Sequence, residues 1–237
     1  MTEEIFKKFL NDNNINITND QLELFRKYAE FLLEYNKTTN LTAIKTIEDV
    51  YLKHFVDSLL VLKHIKFKNE KVLDIGTGAG FPGVPLKIIC PDIELYLLDS
   101  NGKKTTFLNK LKDILKLDYE VINDRAENYA KDNRESFDIV ISRAVSRLSV
   151  LSELALPFVK LSGKFISYKS NYEEELNESL DAIDILSKGK IIIKNDVLPV
   201  EKSNRAFIII TKKCKTDLKY PRTYDKIIKK ALQKNTN

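Results

Sequence analysis

Three glycines at alternate positions, Gly76, Gly78 and Gly80, follow directly on the apolar run Val72-Leu73-Asp74-Ile75. Lacking side chains, they leave bare backbone against which a flat ligand can lie. The next apolar run, Leu95-Tyr96-Leu97-Leu98, ends in Asp99, an acceptor for ribose hydroxyls if the two runs are neighbouring strands. This pattern points to binding of an adenosine compound. A nicotinamide fingerprint needs glycine at the sixth position of the turn, so that a helix N-terminus stays open to a pyrophosphate. Here that position is Phe81, followed by Pro82. Asp74, in the strand end, also repels a diphosphate and attracts an amine or a cation. S-adenosylmethionine, with a sulfonium, an α-amino group and no phosphate, has that profile. On the turn alone, a plain tight turn and an NAD-dependent oxidoreductase stay open as alternatives, although no hydride-transfer constellation accompanies it.

The elements that position this turn are legible in the periodicity. Continuous apolar runs suit strands covered on both faces, and they recur at Tyr119–Ile122, Phe137–Ser142, Lys164–Tyr168, Lys190–Lys194 and Ala206–Thr211. Helical patterns fall between them at Asn101–Leu117, Leu148–Val159 and Tyr172–Leu186. Strands separated by helices imply right-handed crossovers and a parallel sheet. Only the loop from Asn195 to Arg205 separates the last two strands, which therefore pair antiparallel at an edge. The predicted fold is α/β: a Rossmann-like parallel sheet with an antiparallel edge strand pair, as in class I S-adenosylmethionine-dependent methyltransferases, plus an N-terminal helical extension.

Residues 1–65 make up that extension. Ile5, Phe6, Phe9 and Leu10, then Leu22, Phe25, Tyr28, Leu32 and Tyr35, recur at three- and four-residue spacing, and Thr18-Asn19-Asp20 offers capping oxygens. A polar junction, Asn36 to Thr42, leads into an amphipathic segment from Ile47 to Ile65 that carries His54, Asp57 and Ser58. It reads as a cap on the sheet, with a substrate-facing loop at the junction as the alternative. The methyltransferase domain spans 66–213, and 214–237 is a basic C-terminal tail. From Lys212 onward, lysines and arginines alternate with Tyr220 and Tyr224, a composition that suits either RNA contact or a solubilising terminus.

A net charge of +5 over 237 residues favours an anionic partner. The two cysteines, Cys90 and Cys214, form neither a disulfide framework nor a metal cluster and read as buried, reduced thiols. No metal is expected. The start, MTEEIFKKFLNDNN, lacks the apolar core of a signal peptide, and no apolar run reaches membrane-spanning length. A cytoplasmic monomer with no membrane contact is expected.

Together these motifs resemble the ribosomal RNA small subunit methyltransferase G family, also called glucose-inhibited division protein B. They are Asn36-Lys37-Thr38-Thr39-Asn40-Leu41-Thr42, His54-Phe55-Val56-Asp57-Ser58-Leu59, Val72 through Gly83, Leu98-Asp99-Ser100, Arg125-Ala126-Glu127 and Ile141-Ser142-Arg143-Ala144. The resemblance implies S-adenosylmethionine-dependent methylation of N-7 of a guanine in the 530 loop of 16S ribosomal RNA, with that RNA or the small ribosomal subunit as partner. It also implies that Gly76 and Phe81 line the cofactor site, that Ala126 and Glu127 sit beside the adenine, and that Arg143 ends the fourth strand at the ligand edge. Asp74, Gly78 and Asp99 join this set from the residue reading above. Asn40, His54, Arg147 and Lys169 are the candidate RNA contacts, with Lys103 and Lys104 bordering the same groove. Guanine N-7 has an in-plane lone pair and no proton, so no general base is expected. The rivals are a methyltransferase for another RNA, a protein or a small molecule, and a ribosome-binding scaffold without turnover.

Overall fold

The glycine turn sits at the carboxyl end of the first strand in the computed structural model of the chain, which describes residues 1–143 and 145–234. The strands are β1 (Lys71–Ile75), β2 (Glu94–Asp99), β3 (Glu120–Asn123), β4 (Phe137–Arg143), β5 (Val159–Lys169), β6 (Lys190–Leu198) and β7 (Ser203–Thr211). They form one sheet in the order β3-β2-β1-β4-β5-β7-β6. β1 to β5 run parallel, whereas β7 is antiparallel to both β5 and β6, which places the predicted antiparallel pair at the edge. The chain leaves β1 toward β2 on one side and returns to β4 on the other. That reversal opens a crevice at the carboxyl ends, where open α/β sheets bind ligands.

Helices cover both faces. On one face lie α1 (Glu3–Asp12), α2 (Asn19–Thr39) and α3 (47–63), then α4 (Gly83–Ile89) and α5 (Gly102–Leu115). Phe6, Phe25, Tyr28, Phe55 and Phe107 are all fully buried there. The N-terminal extension is therefore part of the main core, in keeping with its spacing of apolar residues. α2 starts with a capping box in which Thr18 and Gln21 satisfy each other's backbone amides, and it ends at Asn40 in the left-handed conformation. The other face carries α6 (Ala126–Tyr129), α7 (Leu148–Ala155), α8 (Glu173–Ser187) and α9 (Tyr224–Lys229), packed over Phe137, Phe158 and Phe165.

Four expectations need adjustment. The predicted helix Leu148–Val159 stops at Ala155, because Pro157 has no amide to continue it; a 3-10 turn, Leu156–Phe158, leads straight into β5. α3 is not regular: Val50–Val56 is π-helical. The stretch after β7 is not a free tail. Lys212 is fully buried, Tyr220 and Ile227 are buried, and Arg134 donates to the carbonyls of Thr216 at 2.7 Å, Asp217 at 3.1 Å and Tyr220. Cys90 and Cys214 are free but only half-buried, so the expectation of buried thiols is corrected. Among the described residues no helix is long and apolar enough to cross a membrane, and no group of three or more ligating side chains is placed to hold a metal. Ala144 lies outside the described residues.

Candidate functional site

The turn is built from its own backbone. Gly76 and Thr77 donate their amides to the carbonyl of Leu98 at 2.8 and 3.2 Å, which ties the turn to the end of β2. Gly76 has φ +67°, and a Cβ there would come within 2.5 Å of a Val145 methyl, so both conformation and space call for glycine. From outside the sheet, Tyr28 of α2, wholly buried, donates its hydroxyl to the carbonyl of Ala79.

Asp74 lies beneath this turn and is 0% exposed. Its Oδ2 accepts from Thr77 Oγ1 at 2.8 Å and from the amide of Gly83, the first residue of α4, at 2.9 Å. Burial pushes its carboxyl up to about 7, against those two hydrogen bonds, which act in the opposite direction. The sequence suggested that this carboxylate attracts an amine of the ligand. The structure turns one oxygen, Oδ2, on the protein's own donors and leaves Oδ1 buried with no hydrogen-bond partner among the described residues. The amide that opens α4 is thus occupied by an internal acid and offers nothing to a pyrophosphate.

Above the turn, a cleft of about 330 Å³ opens at the carboxyl ends of β1 and β2. Of the predicted cofactor residues, Gly76, Asp99, Ala126 and Glu127 line it. Asp99 is 6% exposed; its Oδ2 accepts from the Gly78 amide at 3.0 Å and from Lys104 Nζ at 3.4 Å, and its Oδ1 from the Asn101 amide at 2.9 Å. A carboxylate has about four lone-pair sites, so one remains for a hydroxyl. Gly78 thereby serves the site by orienting Asp99. Ile75, Leu98, Val145 and Leu154 supply apolar walls, while Asp99, Asp124 and Glu127 outnumber Lys104 and Arg125. This donor set fits a nucleoside that carries positive charge and no phosphate.

Phe81 and Arg143 stand behind the turn, outside the residues lining that cleft. Phe81 is 5% exposed, stacked on His54 at 4.2 Å between ring centroids and on Tyr28 at 5.2 Å. Arg143 crosses the Phe81 ring at 5.2 Å and donates to Asp57 Oδ2 at 2.7 Å, to the carbonyl of Lys53 at 3.1 Å and to His54 Nδ1 at 3.0 Å. These three acceptors all come from the π-helical stretch or the residue after it, where a widened turn brings Lys53, His54 and Asp57 to one side. Asp57 also accepts from Arg205 of β7. Nothing local in the sequence pairs Asp57 with two arginines 86 and 148 residues away.

The RNA candidates divide. Asn40 is exposed at the end of α2. Arg147 is exposed and pairs with Glu178. His54 is half-buried, with its Nε2 3.0 Å from Thr42 Oγ1, and so is engaged on both nitrogens. Lys169 donates to the carbonyl of Ser146 at 2.7 Å and to Glu175 at 2.6 Å, which fastens the loop after β4 to α8. Sequence reasoning missed Asp124, Val145, Leu154 and Tyr224 as residues of the cleft, and Arg125 as a lining side chain; the Tyr224 ring lies 4.6 Å from the Arg125 guanidinium.

Residues 21–199 match the family described as rRNA small subunit methyltransferase G, GidB. The chain is similar to the ribosomal RNA small subunit methyltransferase G of Staphylococcus carnosus, with 45% identity over 219 residues, 90% of this chain and 91% of the relative. It is equally similar to that of Oceanobacillus iheyensis, with 45% identity over 227 residues, 94% and 95% of the two chains. Among solved structures, a predicted O-methyltransferase from Agrobacterium tumefaciens has a TM-score of 0.53 at 17% identity over 68% of this chain and 80% of that one. Aeropyrum pernix fibrillarin, solved with S-adenosyl-L-methionine bound, has a TM-score of 0.50 at 13% identity over 66% and 74%. At such identities these two show the fold alone.

Proposed function

The chain belongs to the rRNA small subunit methyltransferase G family, and from that premise we infer that it is an S-adenosylmethionine-dependent methyltransferase acting on N-7 of a guanine in 16S ribosomal RNA. The single observation that carries this reading is the cleft beside the glycine turn. It joins a ribose acceptor, Asp99, to a turn whose helix terminus is already filled by Asp74. A phosphate-bearing dinucleotide finds no free helix-start amide and more carboxylates than cations there, whereas an adenosine with a sulfonium meets carboxylates that suit its charge.

Asp99 would hold the ribose, Ala126 and Glu127 the purine end, and Gly76 the approach along the backbone. When bound, S-adenosylmethionine supplies an electrophilic methyl group. The chain's own residues have a smaller task, because guanine N-7 is already a free lone pair and no side chain has to remove a proton. They orient the base, and orientation of this kind is worth effective molarities of ~10⁵ M or more. Arg143, Asp57 and His54 support the turn from behind, and exposed cations such as Lys103 and Arg147 border the RNA path. The protein works as a monomer in the cytoplasm, where small ribosomal subunits are found.

The test is transfer of a labelled methyl group to small ribosomal subunits, to bare 16S RNA and to ribosomal protein fractions, followed by mapping of the modified base. Label at a guanine N-7 of the RNA is the expected result. Label only in protein, or binding of NAD in preference to S-adenosylmethionine, overturns the reading.

A further inference from the structure

Tyr224 is the one aromatic ring among the described residues that line the cleft, and the mechanism above leaves it without a role. Its position is defined from two sides. The Arg125 guanidinium lies 4.6 Å from its ring centroid, and Arg125 Nε is itself held by Glu127 Oε1 at 2.5 Å, beside Ala126. The ring therefore stands at the end of the cleft assigned to the purine. On the other side, the segment that carries it is clamped to the domain. Arg222 donates from Nε to Glu153 Oε1 at 2.9 Å and from Nη2 to Oε2 at 2.7 Å, and its backbone amide reaches Oε1 at 2.9 Å. Glu153 is 1% exposed, and the same guanidinium holds the carbonyl of Lys230 beyond α9 at 2.9 Å. Ile227, 1% exposed, anchors α9 from below. A half-buried tyrosine on so fixed a mount, facing a cleft rather than the core, has a flat apolar surface available to a ligand.

We propose that Tyr224 is a cofactor-binding residue, whose ring packs against the adenine of S-adenosylmethionine and whose segment closes the purine end of the cleft. Base–aromatic stacking tolerates any substituent at the far end of the ligand, so the contact serves substrate and demethylated product alike. The proposal rests on the reading of the cleft as an S-adenosylmethionine site and adds to it the residue that recognises the base.

Calorimetric titration of the full chain with S-adenosylhomocysteine, and separately with 5′-methylthioadenosine, tests it. Tyr224→Phe is expected to bind both within twofold of the unsubstituted protein, and Tyr224→Ala about tenfold more weakly, equivalent to about 1.4 kcal/mol. Tyr224→Leu, which keeps apolar bulk for α9, is the second variant if the alanine form fails to fold, and it is expected to lose affinity in the same direction. Equal losses with the two ligands place the contact on the adenosine part, which both contain. Unchanged affinity in a folded alanine or leucine variant, or a loss with S-adenosylhomocysteine alone, overturns the proposal. Failure of the unsubstituted protein to bind either ligand defeats instead the reading of the cleft itself, so the two failures are told apart.

Discussion

Arg143 Nη2 lies 3.0 Å from Nδ1 of His54. A guanidinium only donates, so Nδ1 holds its lone pair and the ring proton sits on Nε2, which donates to Thr42 Oγ1. Burial, with the Arg143 charge adding to it, pushes the imidazole down to about 3. His54 is therefore a neutral spacer pressed on Phe81. Nitrogen-edited NMR is expected to show the Nε2–H tautomer, untitrated, from about pH 5 to 8. A midpoint near the ordinary histidine value refutes the arrangement. The stability this histidine contributes is complete above the unfolded value of about 6.5 and is lost as pH falls from there toward 3.

Asp74 works in the opposite direction. Its folded value of about 7 lies above the unfolded one of 3.8, so its contribution is whole below 3.8 and is lost as pH rises through 7. Asp74→Asn imitates the protonated acid, keeping an oxygen for Thr77 and Gly83. Melting temperatures of the variant and the parent, measured from pH 4 to 8, are expected to converge at the acid end, with the variant flatter across the range. Parallel curves contradict the raised value.

Phe81→Gly supplies the glycine missing from the dinucleotide fingerprint. It is nonetheless expected to confer no NAD binding, because Asp74 still occupies the α4 amide. What it removes is a buried ring between His54 and Tyr28, a loss of about 3–5 kcal/mol by denaturant unfolding. Tight NAD binding by the variant contradicts the account of the turn.

Arg222→Ala leaves the Glu153 carboxylate buried without its partner. Breaking such a pair costs about 3–5 kcal/mol, so a lowered unfolding free energy is expected, together with protease cleavage in the segment after β7. A variant as stable and as resistant as the parent means that the clamp contributes little.

Lys103→Glu with Arg147→Glu reverses two exposed cations. RNA affinity is expected to fall, and the slope of log affinity against log salt to flatten by roughly two charges' worth. Lys169→Glu is excluded from this test, because that side chain is 11% exposed and bonded to Glu175 and Ser146, so its reversal damages the fold first. Unchanged RNA binding in the double variant removes these cations from the RNA path.

The sheet was legible because its strands are short apolar runs whose burial on both faces leaves few alternatives. Element ends moved by a few residues: a helix stopped short at Pro157, β5 began at Val159 across a bulge, and β6 and β7 extended to Leu198 and from Ser203 into the expected loop Asn195–Arg205. Gly76 and Asp99 were readable as cleft residues because each adjoins the end of a strand, whereas Ala126 and Glu127 were named through the family resemblance rather than from the strand pattern. Phe81, Arg143 and Asp74 carried the right motifs, but as supports of the turn they depend on partners elsewhere: His54, Asp57 and the α4 amide. Arg222 with Glu153, Arg205 with Asp57 and Tyr224 with Arg125 lie 69, 148 and 99 residues apart. Periodicity carries no signal at such separations, and a segment rich in lysine looks the same whether it is solvated or clamped.

The hydroxyl of Tyr28 reaching the Ala79 carbonyl has a bearing on how such enzymes are taken apart. Excising the first 65 residues strips the loop of an outside grip and exposes the Phe81 ring that Tyr28 and His54 cover. A chimera joining this sheet to another relative's helices must therefore carry α2, α3 and the glycine loop across as one inherited block.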